Sequence, residues 1–284
     1  MADDIEKREV IAVVISDVHL GTMASKAEQL LEYLQSIKPQ YLIMNGDIID
    51  AWRFSRRYFP SSHMKVINQI INMMSEGTMV YYITGNHDEA FRRFVGIKFE
   101  NFALENKVVL KLDGEKTWIF HGDVFDMIMH NSKWLAHLGA VGYGILTAFN
   151  KTINFIRSIF VKKQYSFAKR LENSIKYSGN KKITKFEKTV ADLAIHKEYK
   201  FVICGHIHQP ARKNITNSSG SVIYLNSGDW VVNMTSLEYA ENQWHLMRWD
   251  ESFSNVVENT AMGEMFTQSK RDIFLKAVKD VLKS

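Results

Sequence analysis

The sequence predicts an α/β fold whose functional site lies where several β-strands end. Hydrophobic residues make up 46% of the 284-residue chain and aromatic residues 12%, with only 3 prolines, which is typical of an ordered globular protein. Apolar runs of strand length alternate with helical patterns, and a polar cluster directly follows several of these runs. Ligand sites in open α/β sheets gather at the carboxyl ends of the strands, so these clusters predict one shared site.

The first strand is predicted from about Val10 to Ser16 and leads into Asp17 and His19. Residues two apart on an extended chain point to the same side, so this carboxylate and this imidazole could bind one metal ion. An Asp-x-His pair alone is weak evidence, because such pairs often arise by chance. A helix is predicted from Lys26 to Ile37 from the spacing of its apolar residues, and Pro39 is expected to end it.

The second strand, Tyr41 to Met44, leads into Asp47, and Asp50 stands three residues further on. The Asp47 carboxylate could bridge two cations, although a turn or capping role is the ordinary interpretation of a Gly-Asp pair. A basic and aromatic cluster follows, in which Arg53 and Arg57 are candidates for binding a phosphate group of a substrate. An exposed loop is an equally good interpretation of this cluster.

The third strand, Met79 to Ile83, follows a helix predicted from His63 to Glu76 and leads into Thr84-Gly85-Asn86-His87-Asp88. Gly85 allows the backbone to turn, so that Asn86 and His87 can project into the cleft. These polar residues are expected to lie at the centre of the predicted site.

Two later strands end in histidines. Val108 to Leu112 and Thr117 to Phe120 are predicted to form a hairpin across Asp113-Gly114, and His121 follows it. Phe201 to Cys204 leads into Gly205-His206-Ile207-His208 in the same way. The later segments 221–225, 234–239 and 243–249 are also predicted to be strands, the last two as an antiparallel pair.

The chain is predicted to divide into a core in two parts, an insertion and a tail. The core comprises residues 1–124 and 199–250, the insertion residues 125–198, and the tail residues 251–284, which end in a helix. In the insertion, apolar residues are interleaved with many lysines and arginines, which is typical of an element that meets an anionic lipid surface or an acyl chain. A helical insertion that packs its apolar face on the core is the alternative. Its apolar stretch from Trp134 to Phe149 is too short to span a bilayer.

The net charge of +5 suits an anionic partner, such as a phosphate substrate or an acidic membrane surface, or reflects a solvated lysine-rich surface. No recognisable nucleic-acid-binding module accompanies the charge, so no nucleic-acid partner is predicted. The single cysteine, Cys204, excludes an internal disulfide framework. The acidic N-terminus lacks the features of a signal peptide, which predicts a cytoplasmic protein.

The polar clusters together supply seven nitrogen and oxygen donors. This set is too large for one tetrahedral zinc ion but suits two divalent ions that share a carboxylate. A water held between two such ions has its pKa lowered from about 15.7 to about 7, which predicts a metal-bound hydroxide as nucleophile for displacement at phosphorus. The candidate metal ligands are Asp17, His19, Asp47, Asn86, His121, His206 and His208.

His87 is kept outside the ligand set as a candidate catalytic residue. A positioned imidazole can stabilise a phosphoryl transition state or protonate the leaving oxygen, and the adjacent Asp88 is expected to orient it. The other five histidines have no partner ligands nearby in the sequence and are interpreted as structural. They are His63, His130, His137, His196 and His245.

The chain resembles the calcineurin-like metallophosphoesterases in five motifs that occur in the same order and strand context. Each motif alone is weak or moderate evidence, whereas all five in series are highly specific and span roughly residues 17–208. They are Asp17-x-His19, Gly46-Asp47, Gly85-Asn86-His87-Asp88, His121 and Gly205-His206-x-His208.

The resemblance implies a four-layer α-β-β-α sandwich with a helical insertion, or lid, and two divalent ions, most commonly Mn²⁺, with Fe, Zn or Mg as alternatives. Asn86, His87 and His206 would also contact the substrate. One ion would be held by Asp17, His19, Asp47 and His208, and the second by Asp47, Asn86, His121 and His206.

Within this family the chain most resembles the hydrolases of a nucleotide-linked lipid, in Ser16–Gly21, His121–Asp123, the long insertion and Asn226–Trp230. This resemblance implies cleavage of a pyrophosphate, an insertion that receives acyl chains, and a position on the inner face of a membrane. His87 departs from it, because those hydrolases have arginine there. The alternative is a related phosphoesterase whose substrate is another phosphate ester, in a phospholipid, a nucleotide or a phosphoprotein. A metal-free scaffold would be expected to lose ligands, and this chain retains all seven.

Overall fold

The computed structural model of the chain describes residues 7–52, 58–125 and 183–250. In the C-terminal tail it describes only Lys276 and Asp280, which are both helical, and the other residues of the helix predicted there lie outside the described residues. None of the helices in these parts of the chain combines the length and the apolar character that crossing a membrane requires.

The chain divides into two compact units. One comprises Met1–Asp123 and Glu187–Ser284, and the other comprises Val124–Phe186. Most of the predicted insertion, residues 125–198, belongs to the second unit, where residues 126–182 lie outside the described part of the chain.

A seven-stranded sheet carries the first three polar clusters at the ends of its strands. Its strand order is β12-β11-β1-β2-β3-β5-β4, in which β1, β2, β3 and β5 run parallel. Their bounds are β1 (Arg8–Ile15), β2 (Ile37–Asn45), β3 (Met79–Ile83), β4 (Lys98–Phe99), β5 (Phe102–Glu105), β11 (Thr235–Ala240) and β12 (Gln243–Arg248).

A five-stranded sheet carries the two later histidine clusters. Its order is β6-β7-β8-β10-β9, and β7, β8 and β10 run parallel at its centre. Its strands are β6 (Val108–Leu112), β7 (Glu115–Ile119), β8 (Phe201–Cys204), β9 (Ala211–Asn217) and β10 (Gly220–Asn226).

Helices cover the outer face of each sheet. Helix α1 (Ala27–Gln35) connects β1 to β2, and α2 (Ser61–Ser75) connects β2 to β3. A 3₁₀ turn at Glu89–Phe94 follows β3. Helix α3 (Lys185–His196) leads into β8, and from Glu187 onward it is tied to β9, because the Glu187 carboxylate accepts hydrogen bonds of 2.8 Å from Lys213 Nζ.

The alternation of side chains along β1 builds two separate cores. Val13 and Ile15 pack with Leu30 and Leu34 of α1 in the core beneath the helices. Ala12 and Val14, which point the other way, belong to the core between the two sheets, with Ile203 and Leu225 of the five-stranded sheet. The two sheets and their helices confirm the predicted α/β architecture.

Pro39 does not end a helix, as the sequence predicted, but lies inside β2. Helix α1 ends at Gln35, and the chain enters β2 at Ile37. At Pro39 the strand pairs with Val10 of β1, whereas its pairing with β3 begins only at Tyr41. The missing N–H of proline is tolerated because β2 has a neighbour on one side only at this point.

The turns of both predicted hairpins have the expected backbone conformation. Asp113 and Gly114, between β6 and β7, have φ values of 47° and 84°, and Glu241 and Asn242, between β11 and β12, have values of 51° and 60°. Two successive residues with positive φ are typical of the tight turn that matches the twist of antiparallel strands. Strands β4, β5 and β9 were not predicted.

Candidate metal centre

The seven predicted ligands lie at one edge of the sandwich because they follow strands that run in the same direction within each sheet. The first four follow β1, β2 and β3, and the last three follow β7 and β8. The two sheets therefore contribute different halves of one site.

The first group of ligand atoms comes from Asp17, His19 and His208. One atom from each of these residues lies within 4.8 Å of the others. His208 Nε2 is 3.1 Å from Asp17 Oδ1, and the Asp17 carboxylate is fully buried. Donor atoms at this spacing can converge on a single ion.

The second group comes from Asp47, His121 and His206, with the same mutual spacing. His121 Nε2 is 3.3 Å from Asp47 Oδ2, and the same carboxylate oxygen lies 4.0 Å from His19 Nε2 in the first group. Asp47 thus stands between the two groups, as a bridging carboxylate must.

Asn86 supplies a test of whether the site fits a metal ion. Its Oδ1 is buried and accepts no hydrogen bond from any residue that the structure describes. A buried carbonyl oxygen without a donor is costly unless another partner compensates it. A divalent cation is such a partner, and the mixture of carboxylate, amide and imidazole donors around it suits this type of ion.

The charges around the two groups also favour cations. Burial lowers the pKa of His121, but its hydrogen bond with Asp47 and the charge of Asp17 outweigh burial and raise the pKa to about 10. Burial also lowers the pKa of His208, but the charge of Asp17 outweighs burial and raises the pKa to about 10. The carboxylates therefore create a negative potential that bound cations would neutralise.

Two glycines bring the loops close enough for this geometry. A Cβ atom added at Gly85 would lie 2.2 Å from Asp47 Oδ1 and 2.6 Å from the Asp47 backbone nitrogen. A Cβ atom at Gly205 would lie 2.6 Å from Asp17 Oδ2. Only glycine allows such close approach of the loops that follow β3 and β8.

Several predicted ligands have a left-handed backbone. Their φ values range from 51° to 63°, in a region where asparagine, aspartate and histidine are several-fold enriched over other residues that have a Cβ. The residue types that suit a metal site are thus also the types that tolerate these turns. The five residues are Asp17, His19, Asp47, His206 and His208.

His87 lies beside the ligands but is oriented by Asp50 and not by Asp88. His87 Nδ1 is 3.1 Å from Asp50 Oδ2, and this hydrogen bond raises the pKa of His87. Asp50 Oδ2 is also 3.5 Å from His19 Nδ1. The sequence placed Asp50 near the site without giving it a role, and its spacing of three residues from Asp47 was the available signal.

Asp88 holds the loop backbone, so the expectation that it orients His87 was wrong. Its Oδ1 accepts a hydrogen bond of 2.5 Å from the Gly85 N–H, and its Oδ2 accepts bonds from the Ile48 N–H at 3.0 Å and from Tyr82 Oη at 2.7 Å. Burial and then the charge of Asp47 raise the pKa of Asp88 to about 6. It joins the loops after β2 and β3 beneath the site.

Two further predictions concern residues near the site. Arg53 and Arg57, predicted to contact substrate, lie outside the described residues. His63, interpreted as structural, is buried, and its Nδ1 accepts a hydrogen bond of 2.9 Å from the Gly21 N–H. Trp52 belongs to the basic and aromatic cluster that the sequence predicts beside the site; its ring centroid lies 5.4 Å from that of His87, and 72% of its surface is exposed.

Comparison with known proteins places the chain among phosphoesterases. Three curated relatives carry the name UDP-2,3-diacylglucosamine hydrolase. The protein of Blochmanniella pennsylvanica is 26% identical over 232 residues, which cover 74% of this chain and 84% of the relative. The protein of Aliivibrio fischeri is 24% identical over 241 residues, which cover 82% of this chain and 95% of the relative. The protein of Blochmanniella floridana is 27% identical over 217 residues, which cover 71% of this chain and 81% of the relative.

The sequence pattern of the calcineurin-like phosphoesterases matches residues 12–210, which make up more than half of the chain. The matched range begins within β1 and ends just after His208, so it includes every predicted ligand. Members of this family use divalent metal ions. The chain belongs to the calcineurin-like phosphoesterase family.

Proposed function

We propose that the chain hydrolyses the pyrophosphate of UDP-2,3-diacylglucosamine, releasing 2,3-diacylglucosamine 1-phosphate and UMP. The observation that carries the hydrolytic part is the pair of donor groups joined by Asp47 with His87 beside them. The substrate is proposed from the names of the three relatives described above, which are 24–27% identical to this chain.

Asp17, His19, Asp47 and His208 would hold one divalent ion, and Asp47, Asn86, His121 and His206 the second. Such ions would lower the pKa of a water and neutralise charge on the phosphate oxygens. Mn²⁺ is the proposed metal because the chain resembles the calcineurin-like metallophosphoesterases, with Fe, Zn or Mg as alternatives. The mixture of carboxylate, amide and imidazole donors suits a divalent ion of this kind.

His87 would act on the leaving group. Its Nδ1 faces Asp50, so its Nε2 is the nitrogen available to the substrate. The hydrogen bond with Asp50 favours the protonated imidazole, which can donate a proton to the departing phosphate oxygen. Asn86 and His206 would contact the phosphate group from the side of the second ion. The exposed Trp52 beside His87 offers an apolar surface to the rest of the substrate.

A second candidate is a phosphoesterase that acts on another substrate, such as a different phospholipid, a nucleotide or a phosphoprotein. His87 favours it, because the hydrolases of nucleotide-linked lipids that the chain resembles have arginine at this position. Proton transfer by His87, held by Asp50, does not depend on a lipid or a nucleotide in the substrate, because any alcohol or phosphate leaving group can accept the proton.

The test is a turnover assay of the purified protein with Mn²⁺ on UDP-2,3-diacylglucosamine and on bis-p-nitrophenyl phosphate. Asp47→Asn is the control, because asparagine tolerates the positive φ of this position but removes the bridging charge. We expect release of UMP that is lost in the variant. Hydrolysis of the generic diester alone would remove the proposed substrate and retain the phosphoesterase, whereas no metal-dependent hydrolysis of either compound would overturn both.

Membrane contact through residues 125–198 is a separate part of the proposal, supported by the interleaved basic and apolar residues of that segment. We propose that this contact is with the inner face of a membrane. The measurement is co-sedimentation with anionic liposomes, with and without residues 134–163. Equal binding by both proteins would contradict the assignment of membrane contact to this segment.

A further inference from the structure

The loop between β10 and β11 places a buried carboxylate against a predicted metal ligand. Asp229 is fully buried, and its Oδ2 lies 3.7 Å from His208 Nδ1. The other ring nitrogen of His208, Nε2, lies 3.1 Å from Asp17 Oδ1 and faces the first donor group. The two nitrogens of His208 are thus divided between the donor group and Asp229.

The Asp229 carboxylate is itself rigidly held. Its Oδ1 accepts hydrogen bonds from the backbone N–H groups of Val231 at 2.8 Å, Val232 at 2.5 Å and Asn233 at 3.1 Å. Its Oδ2, the oxygen that faces His208, accepts a hydrogen bond from the Asn233 side-chain amide. One oxygen therefore closes the loop, and the other is directed at His208.

Asn233 also holds the backbone of His208. Its Nδ2 donates a hydrogen bond of 3.1 Å to the His208 carbonyl oxygen. His208 has a φ of 51°, and its side chain is 38% exposed, so the packing of neighbouring side chains restrains it only in part. The loop adds two further restraints on His208, because Asp229 faces its ring and Asn233 binds its carbonyl oxygen.

We propose that Asp229, supported by Asn233, is a positioning residue that fixes His208 as a ligand of the first metal ion. A carboxylate on the far nitrogen selects the tautomer in which Nδ1 carries the proton and Nε2 is free to bind metal. It also fixes the rotation of the ring. The inference rests on the proposed function only in that the first donor group binds an ion.

The test measures metal binding directly on the full-length protein. Mn²⁺ is titrated into metal-free protein by calorimetry, and the bound metal is counted by elemental analysis. The Asp229→Asn variant is isosteric: its Oδ1 can keep the three backbone hydrogen bonds, while an amide replaces the oxygen that faces His208. We expect the affinity for one of two ions to fall about 10- to 100-fold and the affinity for the other to be unchanged.

Thr235→Val is the matched control. The Thr235 hydroxyl, at the start of β11, donates a hydrogen bond of 2.7 Å across the loop to the Ser227 carbonyl oxygen, and among the described residues no hydrogen bond or ion pair joins Thr235 to His208. Valine removes this bond at nearly constant volume, so a lower Tm with two ions bound as in the wild type is expected. Equal loss of metal affinity in both variants would overturn the proposal, because general loosening of the loop would then explain it.

The remaining outcomes are also decisive. Wild-type affinities for both ions in Asp229→Asn overturn the inference and leave the proposed function intact. If the wild-type protein binds no divalent ion, both fail together. If Asp229→Asn does not fold, Asn233→Ala carries the test, because it releases the His208 carbonyl oxygen and the Asp229 oxygen together. Asn233→Ala is expected to lower the affinity for one of the two ions, and unchanged affinities for both ions would overturn the proposal.

Discussion

His63 is the residue through which acid is expected to destabilise the fold. It is buried beside Phe59, and its Nδ1 accepts the Gly21 N–H two residues after His19. Burial lowers its pKa from 6.5 to about 4, so the folded protein keeps it neutral where the unfolded chain binds a proton. The unfolded state therefore binds more protons between these two values, and the stability falls as the pH is lowered through this window.

The size of the effect follows from the two pKa values. With about 1.36 kcal/mol per pKa unit, His63 lowers the free energy of unfolding by about 2 kcal/mol at pH 5 and by about 3 kcal/mol at pH 4, relative to pH 7. Asp88 acts in the opposite direction, because its pKa is raised to about 6 and the folded state then binds the extra proton as the pH falls. A comparison with a variant at position 63 cancels the contribution of Asp88.

The assay is urea unfolding at pH 7, 5 and 4 of the wild type and of His63→Asn, with EDTA present so that loss of metal does not contribute. Asparagine Oδ1 can replace His63 Nδ1 as the acceptor for Gly21 but does not titrate in this range. The free energy of unfolding of the wild type is expected to fall, relative to that of His63→Asn, by about 2 kcal/mol at pH 5 and by about 3 kcal/mol at pH 4. A difference that stays constant from pH 7 to pH 4 would refute the reasoning.

Three other outcomes are expected. Asp50→Asn lowers kcat with bis-p-nitrophenyl phosphate about 10²- to 10⁴-fold, because His87 loses the partner that orients and charges it, while elemental analysis still finds two ions. Gly85→Ala abolishes Mn²⁺ binding in calorimetry, since its Cβ would lie 2.2 Å from Asp47 Oδ1, whereas Gly114→Ala, with no atom within 4 Å of the added Cβ, retains it. Removal of metal with EDTA lowers the Tm in calorimetric scans, because bound ions stabilise only the folded state; an unchanged Tm would argue against occupied sites.

The sequence was most informative where strand and ligand coincide. Asp17, Asp47 and His121 each lie two positions after the last residue of a strand, so predicting the strand also predicted the location of the side chain. Because these strands are parallel within each sheet, residues as far apart in the chain as His121 and His208 could be assigned to one edge of a sheet. That they bind metal stays a prediction.

The sequence was least informative about which polar group partners which. Asp88 is adjacent to His87 in the chain, yet its side chain turns beneath the loop, whereas Asp50 approaches the His87 ring from the loop after β2. Distance along the chain carries no information about such contacts between loops. Asp229 was missed for the same reason, because its relation to His208 exists only after β8 and β10 have paired.

Pro39 shows a different limit. Proline is a sound signal against the continuation of a helix, and the helix does end before it. Whether the residues around a proline can form a strand depends on how many neighbours that strand has at this position. That number is a property of the whole sheet, which local sequence does not contain.

The left-handed backbone at five predicted ligands has a consequence for how this chain could change in evolution and in the laboratory. Alanine at Asp17 or His206 would remove a donor and would also tolerate the left-handed backbone less well than aspartate or histidine does, so an alanine scan would mix two effects. Asparagine separates them. A descendant of this chain that no longer needed metal would be expected to drift toward glycine and asparagine at these five positions and not toward alanine. The turns would then persist as a trace of the lost site, readable from sequence after the chemistry had gone.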